Sequence, residues 1–226
     1  MFTNADKTEN LSGINRMTLF KNTVEDKTYQ LLQKLMQIPE LSEFVLVGGT
    51  NLSLKFGHRI SIDLDLFTNE PFDTQEVFTG IITELPQTIK IDERKQTIWL
   101  NIDGIKVDVI LDKYPYLKPI EIIDSVRFMS IEDIIPMKLE AMATRGVKKD
   151  FWDIGELLNH YSLNQMFEYY HVKYPNSDVG HVILSMTYFV DAELQKDNPD
   201  DLRGITWESV KNKMKNTVAD YVRQQL

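Results

Sequence analysis

The chain contains no cysteine among its 226 residues. Disulfide frameworks, thiolate zinc sites and a cysteine nucleophile are thereby excluded, and any metal must be held by oxygen or imidazole. Imidazole is scarce too. Of the four histidines, His160, His171 and His181 stand at no metal-binding spacing, which leaves carboxylates as the candidate ligands. Apolar runs are short: none approaches the roughly 18 residues that a membrane span requires. The opening Met1-Phe2-Thr3-Asn4-Ala5-Asp6-Lys7 has neither the basic start nor the apolar centre of a signal peptide, so a cytoplasmic protein with no membrane partner is expected. Basic residues are outnumbered, 25 Lys and Arg against 34 Asp and Glu, for a formal net charge of -9. That balance disfavours indiscriminate coating of nucleic acid, which runs on phosphate neutralisation, and leaves room for a local basic cleft. Internal repeats and low-complexity tracts are absent as well.

What is present suffices for an ordinary folded core, in one large domain or two closely packed halves: 42% of the residues are hydrophobic and 26% charged. A polar leader to about residue 13 precedes apolar positions Leu19, Val24, Tyr29, Leu31, Leu32, Leu35 and Met36 at helical spacing. Phe44-Val45-Leu46-Val47 reads as a buried strand stopped by Gly48-Gly49, with a short helix from Asn51 to Phe56 closed by Gly57. Ser61 to Phe67 alternates strictly and predicts a strand with Asp63 and Asp65 on one face and Ile62, Leu64 and Leu66 on the other. A helix over 74–85 and strands over 89–91, 97–102 and 105–111 follow, the last two joined at the turn Asp103-Gly104. From the capping box Ser130-x-x-Asp133 onward the pattern is helical, interrupted by a polar break at 196–201. The fold class expected is α+β: a small mixed sheet flanked by helices over residues 1–125, including an N-terminal helix, then a helical region over 126–226.

Three acids fall on predicted strands. Asp63 and Asp65 form a compact double-carboxylate ligand of the kind magnesium or manganese takes, and Asp108 stands inside the apolar run Lys106-Val107-Asp108-Val109-Ile110. Burying unpaired carboxylates is costly, so such acids imply basic partners or metal ions. Gly48-Gly49-Thr50, between strand and helix, offers close backbone approach and helix N-terminal N–H groups to an anion, with the Thr50 hydroxyl as a further donor. Alone, each motif has a plainer reading as a turn or as an exposed strand face. Lys138 and Arg145 are two helical turns apart and share a face that suits a triphosphate, although a solvated surface has the same spacing. Lys149 and Asp153 are spaced as an i,i+4 ion pair. Trp99, Trp152 and Trp207 read as packing residues rather than base-stacking platforms.

In combination, the strand, Gly-Gly-Thr, the helix, twelve residues, Asp-x-Asp on a strand and a third strand Asp resemble the DNA polymerase β type nucleotidyltransferase superfamily. More narrowly, Val47-Gly48-Gly49-Thr50-x-Leu52-x-Leu54 leading to Gly57-His58-Arg59-x-Ser61-x-Asp63-Leu64-Asp65-Leu66-Phe67 is similar to the AbiEii family of toxin-like nucleotidyltransferases. Lys138-Leu139-x-Ala141-x-x-x-Arg145-x-x-x-Lys149-Asp150-x-x-Asp153-Ile154 resembles that family's later motifs. The likeness covers 44–160 closely and most of the helical remainder loosely. It implies a nucleotidyltransferase fold and a metal-dependent enzyme with magnesium or manganese as cofactor and a nucleoside triphosphate as substrate. Asp63, Asp65 and Asp108 would be catalytic and metal-binding. Gly48, Gly49, Thr50, Lys138, Arg145, Lys149 and Asp150 would bind the nucleotide. The implied acceptor is RNA, at a transfer RNA 3′ end, and the implied biology is the toxin of a toxin–antitoxin or phage-defence pair with a separately encoded antitoxin. Asp150 would take substrate or orient a basic residue, and His58 and Arg59 would support their loop or touch phosphate or acceptor. The alternatives are a nucleotidyltransferase acting on an antibiotic or other small molecule, and a nucleotide-binding module without turnover.

Overall fold

The computed structural model describes residues 18–225, and the polar leader expected to residue 13 lies outside them. The first expected helix is divided into a 3-10 turn, Lys21–Thr23, and α1 (Asp26–Leu35), which buries Tyr29, Leu31, Leu32 and Leu35. There follow β1 (Val45–Leu46), α2 (Gly48–Phe56), β2 (Leu64–Thr68), α3 (Thr74–Glu84), β3 (Ile89–Arg94), β4 (Thr97–Ile102) and β5 (Ile105–Leu111). Then come β6 (Glu121–Ile123), β7 (Val126–Phe128), α4 (Ile131–Arg145), α5 (Lys148–Leu157), α6 (Leu163–Lys173), α7 (Val179–Ser185), α8 (Val190–Glu193) and α9 (Trp207–Gln225). The strands form one mixed sheet in the order β3-β4-β5-β2-β1-β7-β6, with β2 parallel to β5, β1 parallel to β7 and the other neighbours antiparallel.

The period of two decides which core each side chain enters. Leu64 and Leu66, Ile98 and Leu100, and Val107 and Val109 point to one face, where they form a cluster with α1 and α3. From the other face Val45, Val47 and Phe67 join a second cluster built on α4 to α9. The sheet is the partition between two hydrophobic cores.

Three details differ from the sequence expectations. The hairpin β6–β7 lies across residue 125, and β7 pairs with β1. Strands of three residues are too short to display a period. What anchors this one is Arg127, whose guanidinium donates to the carbonyls of Phe44 (2.8 Å), Met36 (2.9 Å) and Leu41 (2.7 Å). Helix α2 starts at Gly48 rather than Asn51, because the glycines are its first turn. Strand β2 starts at Leu64 rather than Ser61: Ser61 N–H bonds the Thr23 carbonyl and Ile60 N–H the Asp200 carbonyl, so 60–63 pairs outside the sheet. Ile62, expected inside, is consequently 61% exposed.

Helix α4 starts and stops as its sequence dictates. The Ser130 hydroxyl accepts from Asp133 N–H (3.1 Å) and Gly146 closes the helix in the left-handed region.

Candidate active site

The residues of the site hang on the turn from β1 into α2, on the paired strands β2 and β5, and on α4 and α5. Helix α2 leaves β1 directly after Val47, with no side-chain cap on its first turn, so its leading N–H groups face the cleft without a side-chain acceptor. Gly48 has φ +70°, and a Cβ built on it would lie 2.2 Å from Asp65 Oδ2. Only glycine lets the backbone and this carboxylate share the space. Gly49 serves otherwise: a Cβ there would lie 2.2 Å from Nη2 of Arg59. Thr50 is buried, with its hydroxyl bonded to the Asp63 carbonyl and 2.9 Å from the Ser61 hydroxyl. It braces the chain ahead of Asp63 instead of offering its hydroxyl to the cleft. Asn51 clamps the helix to the sheet, donating to the carbonyls of Leu46 (2.8 Å) and Met129 (3.0 Å).

Asp65 and Asp108 are direct partners across β2 and β5. Burial, and then the Asp108 carboxylate, push the Asp65 carboxyl above its ordinary range against the pull of Lys138 and Lys106. Asp108 is buried, with Oδ2 2.6 Å from Nζ of Lys106 and Oδ1 without a hydrogen-bond partner. Two crowded carboxylates with an unfilled oxygen are the donor chemistry a hard divalent cation satisfies. Asp63 stands just ahead of the strand, and its Oδ2 lies 3.4 Å from Nζ of Lys149. Among the described residues no group of three or more acids or histidines is already gathered as for a metal ion, so the three acids do not form a preassembled cage.

The basic residues are arranged by two buried carboxylates on α5. Asp150 takes Arg145 in a two-point grip (Nε 2.7 Å, Nη2 2.8 Å), which leaves half of the Arg145 side chain exposed to the cleft and raises the guanidinium pKa, chiefly through that hydrogen bond. Of the two roles open to Asp150, its contacts are those of an orienting group. Asp153 binds Arg59 (Nε 2.7 Å, Nη2 2.9 Å), Lys138 (2.6 Å) and His58 (2.8 Å). Burial alone would raise its pKa, but Arg59 and Lys138 hold it well below the usual carboxylate range. The i,i+4 pair of Lys149 with Asp153 is not made; Lys149 turns to Asp63 instead. Lys138, 5% exposed, has its ammonium on Asp153 and at 3.5 Å from Asp150.

Two cavities meet at Arg145. One, of about 420 Å³, is lined by Gly48, Asp65, Lys138 and Arg145 and by Phe67, Leu111, Ile134, Met137 and Tyr174, with the acids Asp112 and Glu140 among them. The other, of about 450 Å³, runs past Asp63, Ser61 and Lys149 to the segment Asp197–Asp200. Sequence reading found the acids and basic residues but not the apolar walls, whose residues resemble any core position. Nor did it find the 195–203 strap, where the polar break was the available signal. That strap is fixed by Lys148, which donates to the Gln195 carbonyl (2.7 Å) and Asn198 (3.0 Å), and by Asp201, which accepts from Trp152 Nε1 (3.1 Å).

A glycine-led helix set over paired strand acids on a mixed sheet, with basic residues across the cleft, defines a nucleotidyltransferase. Solved structures share the fold. JHP933 from Helicobacter pylori aligns with a TM-score of 0.54 at 17% identity, over 89% of this chain and 96% of its own. MenT4, a nucleotidyltransferase toxin from Mycobacterium tuberculosis, aligns with a TM-score of 0.53 at 14% identity, over 87% and 86%. The chain belongs to the family described as nucleotidyl transferase AbiEii toxin, type IV toxin–antitoxin system, whose profile matches residues 30–221. An uncharacterized protein of Aquifex aeolicus is 32% identical over 199 residues, covering 85% of this chain and 95% of that one. No helix among the described residues is long and apolar enough to cross a membrane.

Proposed function

We propose that this nucleotidyltransferase joins the nucleotidyl group of a nucleoside triphosphate to the terminal hydroxyl of an RNA, with the 3′ end of a transfer RNA as the leading acceptor. The observation that carries the reading is the Asp65–Asp108 pair beside Gly48, with Gly48 and Asp65 lining a cavity whose other walls are largely apolar. The nucleoside lies between Phe67, Ile134, Met137 and Tyr174, and the phosphates lie under Arg145 at the first turn of α2. Arg145, oriented by Asp150, and Lys149 neutralise the charge that develops on the departing pyrophosphate. Lys138 acts through Asp150 and Asp153 as well as by its own field. The acceptor hydroxyl oxygen bonds to the α-phosphorus as the bond to the bridging oxygen breaks, and Asp108 receives the proton. Asp63, Asp65 and Asp108 would hold magnesium or manganese, which would supply charge neutralisation at the triphosphate. In this reading the sheet half carries the acids, and the helical half beyond about residue 125 completes the nucleotide site. The type IV toxin–antitoxin description of the family supports a toxin with a separately encoded antitoxin.

A second reading keeps the site and changes the acceptor to a small cationic molecule such as an aminoglycoside: Asp63, Asp197 and Asp200 line the second cavity, among Arg59, Arg145, Lys148 and Lys149. One assay separates the two. Each of the four radiolabelled triphosphates is supplied with magnesium, and RNA, protein and an aminoglycoside mixture are offered as acceptors, beside an Asp63→Asn/Asp65→Asn control. Label on RNA that vanishes in the control is the expected result. Label on the drug moves the acceptor to the second reading, and triphosphate binding without any transfer overturns both.

A further inference from the structure

The face of the sheet that carries the acids does not end at Asp108. Asp65 pairs with Asp108 and Asp108 with Trp99, so these three side chains stand in one row across β2, β5 and β4. Residues directly opposite one another share a face, and neighbouring strands are about 4.8 Å apart. The indole is thus the next side chain along from the third acid. Burial along β4 alternates, with Ile98, Leu100 and Ile102 enclosed and Thr97, Trp99 and Asn101 partly exposed. Among the described residues Trp99 packs into neither hydrophobic cluster, which corrects its reading as a packing residue; Trp152 and Trp207 do belong to the second cluster. The Arg94 guanidinium lies over the indole, 5.4 Å from the ring. Lys106, 54% exposed, flanks it on β5, while Asp92 is its partner on β3.

A partly exposed tryptophan spends apolar surface on solvent. Flanked by an arginine and a lysine, it is the pairing that binds single-stranded nucleic acid, in which bases stack on aromatic rings and phosphates meet nearby cations. Resting on the RNA reading above, we infer that Trp99 is a stacking platform for one of the terminal nucleotides of the acceptor strand, with Arg94 and Lys106 on its phosphates. The acceptor end then reaches Asp108 along the open face of β4–β5, from the side away from the apolar nucleotide cavity. Net acidity of the molecule is no obstacle, because the patch is local and the contact is stacking first and charge second.

The test measures binding of an eight-nucleotide single-stranded RNA with a free 3′ hydroxyl by fluorescence anisotropy, alongside the acceptor KM and triphosphate binding. Trp99→Ala should weaken RNA binding and raise acceptor KM on the order of tenfold or more, with triphosphate binding unchanged. Trp99→Phe should restore most of the affinity. Arg94→Ala, an exposed change, should weaken binding and flatten its salt dependence by about one phosphate contact. If wild type labels RNA while Trp99→Ala and Arg94→Ala behave as wild type, the platform is refuted and the RNA reading survives. If wild type labels a drug or protein instead, the RNA reading fails and this inference falls with it. Equal loss of RNA and triphosphate binding in Trp99→Ala and Trp99→Phe would assign Trp99 a structural role and also overturn it.

Discussion

Gly48 shows how narrow the tolerance is at the level of one residue. An alanine there would strain a left-handed backbone by about 1–2 kcal/mol and press a methyl group into the Asp65 carboxylate. Gly48→Ala should therefore leave a folded protein, seen by thermal unfolding, whose pyrophosphate release is lower by about a hundredfold, the effect of displacing a reacting group by an ångström. Asp108 is informative differently. Its unpartnered oxygen is buried beside Asp65, so Asp108→Asn should keep triphosphate binding and abolish pyrophosphate release. Binding unchanged in Asp108→Asn with no release from the wild type either would mark a nucleotide-binding module. Both positions were singled out in the sequence by their combination, since a glycine turn or an acid in a strand has a plainer reading when it stands alone. Trp99 was not legible, since tryptophan in a strand is the ordinary choice for a core and exposure has no sequence signature.

At the scale of elements, α5 is what holds the cleft in order. Asp153 is buried, its carboxylate compensated by Arg59 from the loop before β2 and by Lys138 from α4. Removing that charge strands two buried cations, and Asp153→Asn should cost about 3–5 kcal/mol at neutral pH. The sign of the pH effect follows from the depressed pKa. The folded form binds this proton more weakly than the unfolded chain, so the stabilisation is complete above the unfolded value of about 3.9 and fades as the pH falls through the lower folded one. Urea unfolding across pH 2–6 should show that slope in the wild type and lose that part of it in Asp153→Asn; identical slopes would refute the assignment. The strap at 195–203 is a second such element. Lys148→Met removes its two side-chain tethers, and hydrogen exchange at the Ile60 and Leu202 amides, which bond the Asp200 and His58 carbonyls, should quicken by roughly tenfold. Motif spacing announced the Lys-Asp-x-x-Asp helix, but not the partners of Asp153, for which its plainer reading offered only Lys149. The residue one turn away in sequence lost to Arg59, 94 positions earlier, because the two-point geometry and the buried setting favour it.

Across the whole molecule, the site exists where two cores meet at one sheet. Chelation of divalent cations should abolish transfer, and added magnesium or manganese should restore it, with little change in melting temperature in the absence of nucleotide. The basis for that last expectation is that the acids do not form a ready cage among the described residues. The amino-acid sequence alone determined the periodicity of the sheet strands, the caps of α4, the glycine turn and the three acids, all of which are set by neighbours a few positions apart. Tertiary structure alone decided that Asp65 stands beside Asp108, that Asp153 gathers Arg59, Lys138 and His58, that a three-residue strand held by Arg127 joins the sheet, and that Trp99 faces outward next to the acids. Those outcomes depend on which surfaces are buried against which, and burial is a property of the packed chain that no local pattern encodes.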